Sequence, residues 1–165
     1  MSPPMSAHGI RPIGDDDVAW ILALNAANET ATSPLDAPTL RLMLGDAAYA
    51  GAIGRDGFLI AFDQTSAYKS VNYQWFRVGY MQFMYVDRIV VDATARKGGL
   101  ARALYEDMFV VARRGGHGTV ACEVNIDPPN PASDAFHDRL GFVEAGKATL
   151  PNGKTVRYMT KALPK

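Results

Sequence analysis

The sequence predicts a mixed α/β (α+β) fold in which a central sheet of about six or seven strands is flanked by about four helices. Three observations carry that expectation. Short apolar runs with period two alternate along the chain with stretches whose apolar residues recur at helical spacing. Taken in order, these runs give β-α-α-β-β-β-α-β-α-β-β, which is neither a strict strand–helix alternation nor an all-strand succession. One stretch, residues 83–112, passes from a β-branched and aromatic run through Gly98 and Gly99 into a helix with Leu100, Leu104, Met108, Val111 and Ala112 on one face. With 165 residues and 48% hydrophobic content, the chain is long enough for one domain with a real core and too short to expect two.

Residues 1–7 are rich in Ser, Pro and Met and read as a flexible terminus, and the single expected domain covers 8–165. Residues 8–13 form a short first strand, ended by Gly14. Asp15, Asp16 and Asp17 stand where a cap and the helix dipole favour acids, and Val18, Ile21 and Leu22 give the stripe of a first helix reaching Asn28. Residues 30–34 are a linker. Asp36 is the expected cap of a second helix whose Leu40, Met43 and Leu44 face the core. Residues 49–53 and 58–62 make a hairpin through the turn Gly54-Arg55-Asp56-Gly57. Residues 64–79 are expected as a connection too long for a hairpin turn, holding Tyr68, Tyr73, Trp75 and Phe76. These rings either cover a core edge or a homodimer contact, or else they line a substrate site.

A long fourth strand follows at 80–92, then the glycine turn, then a third helix stopped near Arg114 by Gly115 and Gly116. Val120, Cys122, Val124 and Ile126 alternate with Ala121, Glu123 and Asn125 in a fifth strand that Asp127-Pro128-Pro129 breaks. Asn130 followed by Pro131 is a cap with proline at the first helical position, and Gly141 ends that helix. Residues 142–150 and 154–163, joined by Pro151-Asn152-Gly153, form a closing hairpin.

Lys plus Arg balance Asp plus Glu at 17 each, so no global field would draw nucleic acid or an anionic membrane to the chain. One cysteine, Cys122, excludes an internal disulfide. With no apolar run of spanning length and no signal-peptide pattern, a cytoplasmic protein without membrane or nucleic-acid partners is expected. Three scattered histidines and one cysteine give no zinc-ligand spacing, so no metal is expected. A Ser-His-Asp hydrolase would be expected to carry a G-x-S-x-G elbow, and none is present.

The stretch Val90-Val91-Asp92-Ala93-Thr94-Ala95-Arg96-Lys97-Gly98-Gly99-Leu100-Ala101 carries the clearest chemistry. A helix start leaves backbone N–H groups without intrahelical partners and holds the positive end of the dipole, so a small-residue turn there can wrap an anion. Arg96 and Lys97 add charge, and the anion that suits such a cradle is a phosphate or pyrophosphate. Neither a G-x-x-x-x-G-K-[ST] loop nor a G-x-G-x-x-G after a strand is present. The spacing Arg96-x-x-Gly99-x-Ala101 resembles the acyl-CoA pyrophosphate loop of the GNAT superfamily of N-acetyltransferases. A second block, from Asn130 through His137 to Leu140-Gly141-Phe142, resembles that family's Asn-started helix ending in Leu-Gly-Phe. The match is clearest over residues 85–142.

The resemblance implies a mostly antiparallel sheet whose fourth and fifth strands splay apart, with the first two helices beside the acceptor. It implies acetyl-CoA as cosubstrate, its pantetheine arm along the backbone of Ile89, Val90 and Val91 and its pyrophosphate at Arg96, Lys97, Gly98, Gly99, Leu100 and Ala101. Asn130, a helix cap first, and Ser133 are further cofactor contacts. The acceptor is a primary amine of a small molecule or amino-acid-like compound, with Tyr73, Trp75 and Tyr85 as aromatic contacts. The alternative is a non-catalytic acyl-CoA-binding or interaction module.

Acetyl transfer to an amine needs a neutral nucleophile and a route for the ammonium proton, and no covalent enzyme intermediate. The candidate proton acceptors are Asp87 and Glu123, either acting through water. A carboxylate with a pKa near ~4 is a weak base, so burial beside Tyr85 or Tyr80 has to raise it. Each could equally be a satisfied strand carboxylate, and Asp87 could pair with Arg88. His137 stands where the resembling family often has a tyrosine that protonates the departing thiolate. Either its imidazole does so, or it forms a surface pair with Asp134. Tyr105 and Tyr158 are possible replacements.

Overall fold

The computed structural model describes residues 9–29 and 32–164. The expected flexible terminus at 1–7, His8, the start of the expected linker at 30–31 and the side chains of Arg96 and Lys97 lie outside the described residues. The strands are β1 (Ile10–Pro12), β2 (Tyr49–Ile53), β3 (Gly57–Asp63), β4 (Met84–Val91), β5 (Thr119–Asp127), β6 (Val143–Thr149) and β7 (Thr155–Ala162). The α-helices are α1 (Val18–Ala26), α2 (Ala37–Asp46), α3 (Val71–Gly79), α4 (Leu100–Arg114) and α5 (Pro131–Arg139). They flank one seven-stranded sheet ordered β1-β2-β3-β4-β5-β7-β6. Every neighbouring pair is antiparallel except β4 and β5, which run parallel. The mixed, mostly antiparallel architecture is the expected one.

Local signals account for most boundaries. The Asp36 side chain accepts from the Thr39 N–H at 2.8 Å and starts α2. Asn130 does the same for Ser133, at 3.3 Å, at the head of α5. The acids at the head of α1 form a separate 3-10 turn, Asp15–Asp17, before the helix. Asp17 there takes both guanidinium nitrogens of Arg11 at 2.7 Å, the Trp20 indole N–H at 2.7 Å and the Gly14 N–H at 2.8 Å. These donors, the Arg11 bond foremost, hold its carboxyl down to about 2.

The main correction concerns residues 64–83. The expected loop contains a fifth helix, α3, and the fourth strand begins at Met84 rather than at Tyr80. Ser70 caps α3 by accepting from the Tyr73 N–H, and Tyr73 and Phe76, three residues apart, bury the same face. Val71, Tyr73, Trp75 and Val78 are residue types that favour strands, but the face that Tyr73 and Phe76 bury, with Trp75 packed beside it, is satisfied by packing as a helix on the sheet, while Val71 and Val78 are left exposed. β3 and β4 are antiparallel neighbours, so a short turn would join them. The chain instead spends residues 64–83 on crossing one face of the sheet.

Two cores result. On one face α4 lays Leu104, Tyr105 and Met108 against Leu59, Met84, Val86, Cys122 and Met159. On the other α1, α2 and α3 lay Ile21, Leu40, Tyr73 and Phe76 against Phe58, Ile60, Tyr85 and Tyr158. Each such fully buried side chain is worth on the order of 1.5–3 kcal/mol. The candidate site opens from the second face.

Candidate active site

β4 and β5 are paired only at Met84 with Val120 and at Tyr85 with Ala121. Beyond that point they diverge, while β4 stays bonded to β3 and β5 to β7 along their outer edges. From Val86 to Val90 the side of β4 turned towards β5 therefore carries no strand pairing. An extended ligand with amide groups can pair with such an edge. Ile89, Val90 and Val91 lead along it to the glycine turn.

The turn is a 3-10 segment, Ala93–Gly98, whose start is fixed by Asp92 accepting from the Thr94 N–H at 2.8 Å and the Thr94 hydroxyl at 2.7 Å. Gly99 follows at φ 73°, in the left-handed region, and α4 begins at Leu100 with no side-chain cap. A Cβ on Gly99 would meet nothing within 4 Å, so glycine is required by conformation and not by a neighbour. The uncapped helix start follows the end of the open β4 edge, which is the arrangement an acyl-CoA pyrophosphate fits: first-turn N–H groups, the dipole, and no side-chain cap on the helix start.

Asp87 and Glu123 stand on opposite arms of the opening. In β4, Arg88 pairs with Ile60 and Val86 with Ala61, so Asp87 is an extra, bulged residue. The bulge turns two consecutive side chains to the α1–α3 face. Arg88 Nε donates to Asp87 at 2.8 Å, and the other Asp87 oxygen accepts from the Tyr68 hydroxyl at 2.7 Å. Arg88 also reaches Asn25 of α1 at 3.0 Å and both the carbonyl and the hydroxyl of Ser33 in the connection to α2. Both members of this pair are shielded, at 4% and 6% side-chain exposure. The alternative weighed for Asp87, a pair with Arg88, is the one observed.

Among the described residues no cation pairs with Glu123. One oxygen accepts from the Tyr85 hydroxyl at 2.8 Å and the other from the Asn72 amide at 3.1 Å. Burial, helped by the nearby negative charge of Asp87, pushes its carboxyl up to about 8, against the pull of the two hydrogen bonds. Burial also raises the Tyr85 phenol, which stays protonated and remains a donor. The Tyr158 hydroxyl donates to Asn72 at 2.9 Å. A carboxyl of this kind can take a proton near neutrality, which an ordinary glutamate does poorly.

His137 does not face this opening as expected. It is buried at 4% exposure. Its Nδ1 lies 2.7 Å from the Ser133 carbonyl, which can only accept, so Nδ1 carries the ring proton and Nε2 accepts from the Tyr105 hydroxyl at 2.6 Å. Burial lowers its pKa, so the ring is neutral and both its nitrogens are engaged. The expected surface pair with Asp134 is not formed either, because Asp134 turns to Arg157 at 2.9 Å. Ser133 keeps its hydroxyl 3.3 Å from His137 Nδ1, within its own helix.

The three aromatic candidates have separate fates. Tyr73 is fully buried, its hydroxyl held by the Asp63 carbonyl at 2.6 Å and the Ser66 carbonyl at 3.1 Å, so it anchors α3 in the core instead of lining a site. Tyr85 meets Glu123. Trp75, half-buried, stacks on Tyr158 with centroids 4.3 Å apart and covers Gly146 of β6. Sequence reasoning missed Asn72, the bond from Tyr68 to Asp87 and the reach of Arg88 to Ser33. Ser70 three residues before Tyr73 was the signal that would have placed Asn72 on a helix; nothing in the sequence pairs it with Glu123. Among the described residues no group of three or more His, Cys, Asp or Glu could hold a metal ion, and no helix is long and apolar enough to cross a membrane.

Comparison with known proteins agrees with this geometry. The model of the acetyltransferase (GNAT) family matches residues 39–142, more than half of the chain. No curated protein sequence matches significantly. Among solved structures, Ard1 from Thermoplasma volcanium superposes with a TM-score of 0.75 at 14% identity, covering 94% of this chain and 97% of that one. The ribosomal-protein-alanine N-acetyltransferase of Brucella melitensis gives 0.71 at 20% identity over 93% and 99% of the two chains. The ribosomal-protein-S18-alanine N-acetyltransferase of Escherichia coli gives 0.67 at 19% identity over 94% of each.

Proposed function

The chain belongs to the GNAT acetyltransferase family, and on that premise we propose that it moves the acetyl group of acetyl-CoA to a primary amine of a small molecule or amino-acid-like acceptor, by direct attack in a ternary complex. The observation that carries this reading is Glu123: a carboxyl raised to about 8, without a cationic partner among the described residues, at the mouth of the divergence between β4 and β5.

The residues divide the work as follows. The edge of β4 through Ile89, Val90 and Val91 aligns the pantetheine arm. The turn through Gly98 and Gly99 to Leu100 and Ala101 receives the pyrophosphate, with Arg96 and Lys97 adding charge and Asn130 and Ser133 at the head of α5 as outer contacts. The acceptor nitrogen attacks the thioester carbonyl, the N–C bond forms and the C–S bond breaks. Glu123 takes the ammonium proton through water. A thiol with a pKa near ~8.5 leaves readily as thiolate, and the buried, neutral His137 is not needed to protonate it. Asp87 is already committed to Arg88 and Tyr68, so it acts on Glu123 by its charge rather than as a base.

A small acceptor is supported by α3, which lies across the α1–α3 face and reaches Glu123 through Asn72. The structural neighbours named for ribosomal-protein alanine suggest the peptide N-terminus as the second acceptor to test. Thiol release from acetyl-CoA should be followed over amino acids, polyamines, aminoglycosides and alanine-initiated peptides. Turnover on a small amine, lost in Glu123→Gln, is the expected result. Turnover on peptides alone would replace the acceptor half of the reading, and silence on every amine with CoA still bound would favour the binding module.

A further inference from the structure

Glu123 is held from a helix that the sheet itself does not require. The α3 segment enters between two antiparallel neighbours and packs against the site face through Tyr73 and Phe76, both fully buried. It is fastened at its far side by Trp75, which stacks on Tyr158 and sits so close to Gly146 that a Cβ there would lie 2.6 Å from the Trp75 ring. One residue ahead of Tyr73, Asn72 points at the carboxylate. Its amide group donates to Glu123 and its carbonyl oxygen accepts from the Tyr158 hydroxyl, so the amide's orientation is fixed by a partner at each end. A free asparagine would sample both orientations; one held by a tyrosine O–H presents only its N–H₂ to the acid.

We propose that Asn72, oriented by Tyr158, is the positioning residue of the reaction: α3 is inserted so that one amide N–H holds the Glu123 carboxylate in place for the acceptor. The inference rests on the reading of Glu123 as the base. Two groups donate to this carboxylate, and they do so from different elements: Tyr85 from β4 and Asn72 from α3. Among the described residues the titratable groups that act on it are Asp87, which opposes ionisation by its charge, and Tyr85, Tyr158, Tyr105 and Cys122, which burial keeps protonated. Removing Asn72 leaves Tyr85 and the backbone N–H of Glu123 itself against burial and against Asp87.

The test uses the full-length chain in three forms, wild type, Asn72→Leu and Tyr158→Phe, with Glu123→Gln to assign the signal. Carbon-13 NMR of the glutamate side-chain carboxyls gives the Glu123 midpoint directly, whatever the acceptor. Rates are read with acetyl-CoA and the best amine of the screen. Asn72→Leu keeps the bulk of the side chain, and its midpoint should rise by about one pH unit, a roughly tenfold gain in proton affinity. Its kcat at pH 7 should fall by about the same factor and recover at alkaline pH, with the KM for acetyl-CoA unchanged. Tyr158→Phe should move both in the same direction by less. A midpoint that stays at the wild-type position in Asn72→Leu overturns the positioning role. A midpoint that moves while the pH–rate profile does not overturns the reading of Glu123 as the base, and the positioning role falls with it. If CoA binding, measured separately, were lost together with the rate, Asn72 would be a structural residue of α3 and the proposal would be wrong.

Discussion

Glu123→Gln separates base catalysis from simple positioning of two substrates. With its carboxyl raised to about 8, Glu123 is mostly protonated at neutral pH. The ionised fraction is about a tenth at pH 7 and about nine tenths at pH 9, so the wild-type rate should rise roughly tenfold across that interval. Glutamine keeps the shape and loses the proton acceptor, and the plateau rate should fall by on the order of 10²–10⁴. The acceptor amine can titrate in the same range, so the rising limb alone does not identify Glu123. Two neighbours do. Tyr85→Phe removes a donor to the carboxylate and should move the limb to higher pH; Asp87→Asn removes a like charge and should move it lower. Neither change alters the pKa of an amine in solution. The assay is thiol release under saturating acetyl-CoA from pH 6 to 10, an interval chosen to bracket ~8 by about two units each way. A limb that stays put in both variants belongs to the acceptor, and a Glu123→Gln enzyme with the wild-type plateau would refute general-base catalysis by this residue.

Gly99→Glu should weaken CoA binding at least tenfold by calorimetry, because it strains a φ of 73° and brings a negative charge to the helix start; equal affinity would remove the pyrophosphate from this turn. Gly146→Ala should cost about 1–3 kcal/mol in urea unfolding, since its Cβ would lie 2.6 Å from the Trp75 ring, which is held by Tyr158; an unchanged midpoint would mean that Trp75 yields freely. Asp17→Asn should cost about 2 kcal/mol at pH 7, from a carboxyl lowered from 3.8 to about 2 by Arg11 and its other donors. A lowered folded-state pKa stabilises above the unfolded value, so the gap between wild type and Asp17→Asn should close as pH falls from about 4 towards 2, and a gap that persists below 2 would refute the charge account.

The elements that the sequence made legible are those whose signals are local. Asp36 and Asn130 announce their helices because a short polar side chain before a proline-containing first turn satisfies orphan N–H groups, and both caps are formed. Gly99 was readable because a left-handed residue between a strand and a helix is a glycine requirement. α3 was not, since Val71, Tyr73, Trp75 and Phe76 belong to types that suit a strand as well as a half-buried helix, and only the packing decides. His137 was misjudged for a related reason. Its spacing from Asp134 permits a surface pair, but Arg157 of β7 takes Asp134 and Tyr105 of α4 takes the imidazole, and neither partner is near in sequence. The two carboxylates could be found from the family resemblance and their places on the fourth and fifth strands, whereas their difference could not, because it depends on Arg88, Tyr68 and Asn72 meeting them in space.

That difference follows from a single inserted residue. Without the bulge at Asp87, strict alternation along β4 would put Asp87 and Arg88 on opposite faces of the sheet, and the guanidinium would not lie against the carboxylate. With it, Arg88 compensates Asp87 on the site face while spending its remaining donors on Asn25 and Ser33, so the cation is used up in tying the connection between α1 and α2 to the sheet. Breaking one partner from such a shielded pair costs roughly 3–5 kcal/mol, which keeps the arrangement rigid and keeps Arg88 away from Glu123. Glu123 is then left with two neutral side-chain donors, a desolvated carboxyl on a half-buried side chain and a residual negative neighbour, and these together hold its proton affinity in the range where an amine's proton can be accepted and returned to water. Had Arg88 reached Glu123 instead, the Glu123 carboxyl would have been driven down and would accept an amine's proton poorly, while Asp87 would have lost its cation.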